Sequence, residues 1–519
     1  MVTATHEQTA AADTFRNGDH LSLQAGAGTG KTTTLNLLAH TTSRQGHYLA
    51  YNRAIAQDAA ARFPANVRCK TAHSLAYAAL GHRYTHRLNA PRRPAWQTGQ
   101  ALGITKTIRI ADREITQRTL SNATLRTVTR FCHSSDDTIT RHHVPRLRGL
   151  EDTDHHAQLA EHVVTFARRA WSDLQHPDEG AVRFDHDHYL KMWALTRPRL
   201  ETDFLLLDEA QDTNPVVEQI FLNQRDHAQL VMVGDSAQAI YHWRGAKDVM
   251  ASFNGTRLAL SQSFRFGPAL AEEANRWLRM ADAPIRLTGT TAIPTELGTV
   301  TEPDAVLCRT NVGAMAEVMN LMACGRRVAL AGGGESLQAL ALAARDLKEG
   351  RRTHHPELFL FPHWGALQDY ATHDPAGRDL QPLVNLIDTH GTDAILNAVA
   401  RLASEPHAQV TVSTAHKAKG REWHRIRVAA DFAPDEANPP QTGEPVDDAE
   451  ARLAYVAVTR ARHRLDLGGL SWIRDHPDGT EPSATKSGCP GVERLSRGRC
   501  DGGPSIAAQS LEDKDASAC

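Results

Sequence analysis

The chain has 519 residues, a length that accommodates about three or four domains of ordinary size. Hydrophobic residues make up 41% and charged residues 23%, as in globular proteins, and no apolar run reaches the ~18 residues of a membrane span. The net charge of −2 excludes a generally basic composition, and the seven scattered cysteines exclude an obvious zinc or iron–sulfur site. The N-terminus has no signal-peptide features. Together the cysteines and the N-terminus predict a reduced, cytoplasmic location.

The first predicted element is a helix over residues 5–17, because Thr5 and Gln8 have the spacing of a capping box. An apolar run at residues 21–24 predicts a strand, and a helical pattern begins at Thr33. A glycine-rich loop lies between them. Strand, glycine-rich loop and helix in this order are typical of a phosphate-binding loop.

Small residues in this loop let successive backbone N–H groups point at one anion, and the following helix N-terminus adds partial positive charge. Lys31 would reach the β- and γ-phosphates, and the Thr32 hydroxyl would hold Mg²⁺. The sequence therefore predicts a nucleoside triphosphate site made by Ala25, Gly26, Ala27, Gly28, Thr29, Gly30, Lys31 and Thr32.

Strands predicted at residues 47–51 and 67–70, with a helix between them, indicate a doubly wound parallel sheet. From about residue 80 to 190 the pattern is mostly helical and predicts an inserted domain. Residues 81–150 hold thirteen Lys or Arg against four Asp or Glu. This local surplus either binds a polyanion or belongs to solvated helix faces. The histidine clusters of the chain lack the spaced partners of a metal site.

Strand-like residues return at 204–207 and end in Asp208 and Glu209. An apolar strand that ends in this pair predicts a Walker B site beside the phosphate-binding loop. Asp208 would hold Mg²⁺ through the water shell of the ion, and Glu209 would orient and polarise the water that attacks the γ-phosphate.

A further apolar strand is predicted at residues 230–233. Gln238, which follows it, is a neutral side chain able to contact a γ-phosphate. Tyr241, Trp243 and Arg244 place two aromatic rings and a cation within four residues. Such a group can stack on bases and pair with phosphates, although core packing of the two rings is an equal alternative.

Together these motifs resemble those of the superfamily 1A DNA helicases of the UvrD/Rep/PcrA type, and in particular the F-box DNA helicase branch in a prokaryotic form without an F-box. The resemblance covers about residues 5–470 and includes later motifs at 262–265, 305–311, 412–423 and 454–462. It implies an α/β fold with two RecA-like P-loop motor domains, in which parallel sheets are flanked by helices, and mainly helical insertions. The implied parts are domain 1A (1–78 and 191–262), domain 1B (79–190), domain 2A (263–335 and 410–473), a reduced domain 2B (336–409) and a disordered tail (474–519).

The resemblance also implies roles for single residues. The expected catalytic set combines Lys31, Asp208, Glu209 and Gln238 of the first motor domain with Arg265 and Arg460, which would reach the γ-phosphate from the second. Besides the phosphate-binding loop, nucleotide contacts are expected from Gln8 and Phe264 (adenine), Thr33, and Glu422 (ribose), with Mg²⁺ held by Thr32 and Asp208. DNA contacts are expected from Tyr51, Asn52, Thr71, His73, Tyr241, Trp243, Arg244, Thr414, His416 and Lys419.

The function implied is an ATP-dependent 3′-to-5′ single-stranded-DNA translocase and helicase that uses ATP and Mg²⁺, acts in DNA repair or recombination, and works as a monomer without a membrane partner. Its expected partners are single-stranded DNA, 3′-tailed duplex, and repair or recombination proteins. Because only about 75 residues remain for the 2B insertion, strong duplex unwinding is in doubt. Two alternatives stay open: a translocase that strips proteins from single strands but unwinds duplex poorly, and an ATP-switched nucleic-acid clamp.

Overall fold

The structure is a computed structural model that describes residues 4–88, 90, 93–110, 113–147, 150, 152–240, 249–353, 355, 358, 361–373, 380–434, 446–474 and 476. The predicted DNA-stacking residues Tyr241, Trp243 and Arg244 lie outside the described residues, as does the predicted tail apart from residues 474 and 476.

The strands are β1 Leu21–Ala25, β2 Gly46–Leu49, β3 Val67–Lys70, β4 Ile108–Ile110, β5 Arg113–Ile115, β6 Phe204–Leu207, β7 Gln229–Gly234, β8 Thr256–Leu260, β9 Gln262–Ser263, β10 Thr288–Gly289, β11 Glu296–Leu297, β12 Ala305–Cys308, β13 Val328–Leu330, β14 Val410–Thr414, β15 Trp423–Val428 and β16 Ala461–Asp466. The helices are α1 His6–Arg16, α2 Lys31–His40, α3 Arg53–Ala60, α4 Ala72–Ala79, α5 Thr85–Leu88, α6 Ala95–Ala101, α7 Gln117–Cys132, α8 Thr153–Gln175, α9 His186–Leu195, α10 Pro215–Leu222, α11 Val249–Ser252, α12 Pro268–Met280, α13 Asn311–Ala323, α14 Glu335–Lys348, α15 Trp364–His373, α16 Gln381–His390, α17 Thr392–Ala400, α18 Ala415–Ala418 and α19 Asp448–Val458.

The first lobe is built on a six-stranded parallel sheet in the order β3-β2-β6-β7-β1-β8. Its central strand β6 is buried along its whole length. Phe204 and Leu206 pack on one face with the strands and helices around β1, whereas Leu205 and Leu207 pack on the other with Phe221 of α10. Because side chains alternate between the faces of a strand, an uninterrupted apolar run requires helices on both sides of the sheet.

Between β3 and β6 lies the predicted insertion, and most of it is helical. The long helices α7 and α8 pack against each other, and α9 returns the chain to the sheet. The structure adds a short antiparallel pair, β4 with β5, that the sequence did not predict. Three-residue strands carry too little period-two pattern to be separated from a turn.

The second lobe is built on another six-stranded parallel sheet, in the order β11-β16-β15-β12-β14-β13. Ala305 and Leu307 of β12 pack toward α12 and α19, whereas Val306 and Cys308 pack toward α13 to α17. The predicted reduced insertion, residues 336–409, thus shares one buried core with the second sheet. Its boundary as a separate domain stays a prediction.

The two lobes meet through buried residues within one compact unit that spans Met1–Gly479. Ala27, Ala237 and Ile240 of the first lobe belong to the same apolar cluster as Leu307 and Tyr455 of the second. The two lobes are therefore in direct contact through buried apolar residues.

Two parallel sheets flanked by helices confirm the predicted α/β fold class. The N-terminal helix begins with the predicted capping box, in which Thr5 and Gln8 exchange side chain-to-backbone hydrogen bonds. The strand predicted at residues 47–51 ends earlier, at Leu49, so that Tyr51 leaves the sheet and is 51% exposed. None of the helices in the described part of the chain is long and apolar enough to cross a membrane.

Candidate active site

The glycine-rich loop joins the end of β1 to the N-terminus of α2, as predicted. Gly28 and Gly30 have φ values of +74° and +78°, a region that residues with a side chain rarely adopt. A Cβ atom on Gly28 would also lie 2.6 Å from Cβ of Arg265 and 2.7 Å from Oγ of Ser263. The loop therefore needs glycine here for its own curvature and for the close approach of the second lobe.

Asp208 ends β6 beside this loop and is buried. Its Oδ2 accepts hydrogen bonds from the Thr32 hydroxyl (2.7 Å) and the Tyr48 hydroxyl (2.6 Å), and its Oδ1 accepts one from the backbone N–H of Glu209 (2.9 Å). Burial and the nearby Glu209 charge raise the pKa of Asp208. Thr32 and Asp208 together supply hard oxygen ligands, the donor chemistry that Mg²⁺ requires.

Glu209 has a left-handed backbone (φ +51°), which turns its side chain toward the loop. Its Oε1 lies 3.7 Å from the Lys31 ammonium, and its Oε2 accepts a hydrogen bond from the Gln211 amide (2.6 Å). Burial would raise the pKa of Glu209, but the charges of Lys31 and Lys419 outweigh it and hold that pKa below its usual range. The neighbouring carboxyls Asp208 and Glu209 thus have pKa values shifted in opposite directions, an arrangement typical of catalytic pairs.

A buried polar network connects the two lobes behind the loop. The Tyr455 hydroxyl accepts a hydrogen bond from the backbone N–H of Ala27 (3.0 Å) and donates one to Asp235 Oδ2 (2.9 Å). The same carboxylate oxygen accepts a bond from the Gln238 amide (2.6 Å), and Arg460 Nη2 lies 3.4 Å from Gln238 Oε1. Residues of the second lobe therefore contact both the loop and the predicted γ-phosphate sensor.

Arg460 is 1% exposed and, among the residues that the structure describes, makes no ion pair with a carboxylate. Burial and the neighbouring charge of Arg265 lower the pKa of Arg460 to about 9. Arg265 is itself paired with Glu422 (2.8 Å) and donates to the Thr459 carbonyl. Because two cations lie beside a loop that favours anions, the site has an electrostatic preference for a polyphosphate.

The residues predicted to contact the adenine lie near Gly30 of the loop. Atoms of Gln8 and Phe264 are 3.6 and 3.8 Å from the position of a Cβ on Gly30. Gln8 donates a hydrogen bond to the Thr34 hydroxyl (3.1 Å), whereas the Phe264 ring is 40% exposed. An exposed ring beside a phosphate-binding loop is available for stacking on a base. The predicted contacts of Thr33 with the nucleotide and of Glu422 with the ribose stay predictions.

We expect Phe264→Ala to raise the KM for ATP about tenfold while changing kcat little, since stacking of a base on an aromatic ring is worth ~1–3 kcal/mol. Steady-state ATPase kinetics measure both parameters. Leu342→Ala removes another exposed apolar side chain, on α14, and serves as the control. Equal effects of the two substitutions on the KM would contradict the stacking role.

Several predicted DNA-contact residues lie along one cleft, lined in part by Tyr51, Thr71, His73, Asp208 and Asp212. Asn52 and Thr71 use their side-chain oxygens to cap α3 and α4. Capping accounts for these two residue types without DNA, so their DNA contacts stay predictions. The cleft nevertheless extends from the predicted DNA-contact residues to Asp208, which follows β6.

His73 contacts Asp187, a residue of one of the histidine clusters, for which the sequence predicted no partner. The Asp187 oxygens lie 2.9 Å from Nε2 of His73 and 2.9 Å from Nε2 of His133. Burial alone would raise the pKa of Asp187, but the hydrogen bonds from His133 and His73 outweigh it and hold that pKa well below its usual range. Asp187 thereby ties α4 to the helical insertion.

The predicted DNA-contact residues of the second lobe lie at the junction between lobes. Thr414 caps α18, and burial lowers the pKa of His416. Lys419 forms an ion pair with Asp212 (2.6 Å) and donates to the carbonyl of Gln238. The Lys419 ammonium thus links the lobes near the Walker B motif, a position that local sequence did not indicate. Its contact with DNA stays a prediction.

Within the described part of the chain, Asp136, His142 and His143 are a group whose possible metal-ligand atoms lie within 4.8 Å of one another. Nε2 of His142 and Nε2 of His143 are 2.7 and 3.0 Å from the same Asp136 oxygen. Hydrogen bonds from two imidazoles to one carboxylate account for this geometry. The expectation that the histidine clusters hold no metal stays a prediction.

Comparison with known families agrees with the motif pattern. Residues 4–254 match the family model of the UvrD/REP helicase N-terminal domain, and residues 368–471 match that of the UvrD-like helicase C-terminal domain. The chain belongs to the UvrD-like helicase family. The two parallel sheets of the chain are accordingly the RecA-like cores of the family, as the resemblance implied.

The chain is also similar to curated relatives. It is 28% identical to the F-box DNA helicase protein 1 of Schizosaccharomyces pombe, over 87% of this chain and 55% of the relative. It is 28% identical to the F-box DNA helicase 1 of Gallus gallus, over 91% of this chain and 51% of the relative. A probable DNA helicase II homolog of Mycoplasma capricolum is 34% identical over 93 residues, 16% of this chain and 13% of the relative. The chain spans about half the length of the first two relatives, and the predicted resemblance to F-box DNA helicases is confirmed.

Proposed function

We propose that the protein is a DNA-dependent ATPase that moves 3′ to 5′ along single-stranded DNA and separates duplex DNA. The observation that carries the proposal is the buried network between the lobes, in which Tyr455 contacts the phosphate-binding loop and Arg460 contacts Gln238. A nucleotide at the loop would meet side chains from both lobes. Its hydrolysis would therefore favour a different arrangement of the lobes from its binding, which is the requirement for a motor.

The nucleotide proposed is ATP with Mg²⁺. Lys31 and the loop N–H groups would bind the phosphates, and Thr32 with Asp208 would hold the ion, which supplies charge neutralisation at the phosphates. Glu209, kept ionised beside Lys31, would accept a hydrogen bond from the attacking water. Arg265 and Arg460 would stabilise the charge that develops on the γ-phosphate.

The track proposed is DNA, because the similar relatives are named as DNA helicases. Direction and a role in repair or recombination rest on the family resemblance. The surplus of positive charge in the helical insertion supports a polyanion partner in part: Arg109, Arg118, Arg126 and Arg130 are exposed, whereas Arg87 is buried and bonded to backbone carbonyls. Binding through the exposed cations would weaken steeply with salt.

Strand displacement on duplexes with a 3′ or a 5′ single-stranded tail tests the proposal, together with ATPase turnover with and without single-stranded DNA. We expect DNA-stimulated turnover and unwinding of the 3′-tailed substrate alone. Unwinding from the 5′ tail would contradict the direction. Turnover that nucleic acid does not stimulate would favour the ATP-switched clamp.

A protein-stripping translocase is the second candidate, and the packing of α14 to α17 favours it. These helices share the core of the second lobe, so the described residues of the segment 336–409 form no independently packed body that could grip duplex. Release of streptavidin from biotinylated single strands measures stripping on the same strands. Fast streptavidin release with negligible unwinding would support this candidate over the helicase.

A further inference from the structure

Tyr48 is a buried tyrosine whose hydroxyl reaches the Walker B carboxylate, although the motifs of the sequence give it no role. It lies on β2, paired in register with Leu206 of β6, two residues before Asp208. Because alternate residues of a strand share a face, Tyr48 and Asp208 lie on the same face of the sheet. The Tyr48 ring is completely buried and packs against Phe63 at a centroid distance of 4.7 Å.

The hydrogen bonds at Asp208 define what this hydroxyl does. Oδ2 has two protein donors, Tyr48 at 2.6 Å and Thr32 at 2.7 Å, and Oδ1 has the N–H of Glu209 at 2.9 Å. A buried carboxylate is costly unless its oxygens are hydrogen-bonded. Of these donors, Thr32 is also the residue that would hold Mg²⁺, whereas Tyr48 lies on β2, between β3 and β6, and touches the site only through its hydroxyl.

We propose that Tyr48 is a positioning residue that holds the Asp208 carboxylate in the orientation needed for Mg²⁺–nucleotide binding. The proposal rests on the nucleotide site of the proposed function and adds a residue to it. Without the hydroxyl, Thr32 would be the one donor left to Oδ2 among the described residues, and the carboxylate would be free to turn. Because Tyr48 is completely buried, it would not touch a bound nucleotide, and its loss should weaken the ion-dependent part of nucleotide binding alone.

The test is binding of fluorescently labelled ADP to Tyr48→Phe, measured without DNA in Mg²⁺ and in EDTA. Phe keeps the ring against Phe63 and removes the hydroxyl. We expect the Kd in Mg²⁺ to rise about tenfold and the Kd in EDTA to stay unchanged, since a hydrogen bond to a charged group contributes more than one between neutral groups. The Mg²⁺ concentration for half-maximal ATPase activity should rise by a similar factor.

Tyr84→Phe is the matched control. Tyr84 is also buried, stacks on Phe184 at 4.5 Å, and donates to the carbonyl of Gln175 in the helical insertion. Thermal unfolding of both variants separates loss of folding from loss of positioning. Tyr84→Phe should leave both Kd values unchanged.

An equal rise of the Tyr48→Phe Kd in Mg²⁺ and in EDTA would overturn the proposal, as would no change in either. If the wild-type protein hydrolyses ATP on DNA and the Tyr48→Phe variant binds ADP with unchanged Kd values, the role of Tyr48 is refuted and the proposed function stands. If the wild-type protein shows no DNA-stimulated turnover but Tyr48→Phe weakens its Mg²⁺-dependent ADP binding, the proposed function is refuted and the role of Tyr48 stands. A wild-type protein that binds no ADP would overturn both.

Discussion

Glu209→Gln is expected to lower kcat for ATP hydrolysis by about 10²–10⁴-fold, the usual contribution of a general base. Glutamine keeps the shape of the side chain and its bond to Gln211 but cannot take up a proton from water. Glu209 lies 3.7 Å from Lys31, but it is not part of the glycine-rich loop whose N–H groups would bind the phosphates. Nucleotide binding should therefore persist. Single-turnover ATPase assays and labelled-ATP binding measure the two effects separately.

Glu161→Gln is the control for this substitution, because Glu161 is exposed on α8 in the helical insertion. It should hydrolyse ATP at the wild-type rate. Near-normal turnover by Glu209→Gln would assign the base to another group. A loss of labelled-ATP binding equal to the loss of kcat would instead make Glu209 a binding residue.

Arg460→Lys is expected to lower DNA-stimulated kcat about 10³-fold or more, within the range known for arginine fingers. Lysine keeps the positive charge but lacks the planar fork that donates from several nitrogens at once. In the structure this fork spans Val456, Thr459 and Gln238, so it connects α19 to the first lobe. ADP affinity should change little, since ADP lacks the γ-phosphate.

Arg464→Lys provides the comparison, because Arg464 is on the neighbouring strand β16 and pairs with Glu296 away from the nucleotide loop. ATPase kinetics, ADP binding and thermal unfolding should all be close to wild type. If Arg460→Lys lowered the unfolding temperature and kcat together while Arg464→Lys did neither, the buried fork would be a structural element of α19. Loss of kcat at an unchanged unfolding temperature is the result that the catalytic role requires.

The phosphate-binding loop and the strands around it could be predicted from the sequence because their signals are local. Residues 21–24, the glycines at 28 and 30, and the run at 204–207 each carry their structural requirement within a few positions. Small residues permit positive φ, and an uninterrupted apolar strand must be covered on both faces. The resemblance to helicases followed from these short stretches together with the later motifs at 262–265, 305–311, 412–423 and 454–462.

Contacts between distant segments could not be predicted in this way. Tyr48 was part of a predicted strand and Tyr455 part of a recognised motif, yet both hydroxyls bond to carboxylates more than a hundred residues away. Asp187 lies in a histidine cluster that the sequence predicted to hold no metal, and it bridges His73 and His133 from distant parts of the chain. Lys419 was assigned to DNA, and its ammonium pairs with Asp212 in the other lobe.

The sequence by itself predicted the glycine-rich loop, the Asp208–Glu209 pair after an apolar strand and the first parallel sheet, because backbone geometry and apolar periodicity are set by neighbours in the chain. The second α/β half was predicted from the family resemblance. Only the tertiary structure decided which side chains complete the site. A buried hydroxyl, guanidinium or ammonium is stable only with a partner, and which partner it meets depends on how the sheets and lobes pack. Tyr48 on Asp208, and Tyr455 and Arg460 on the first lobe, are contacts of that second kind.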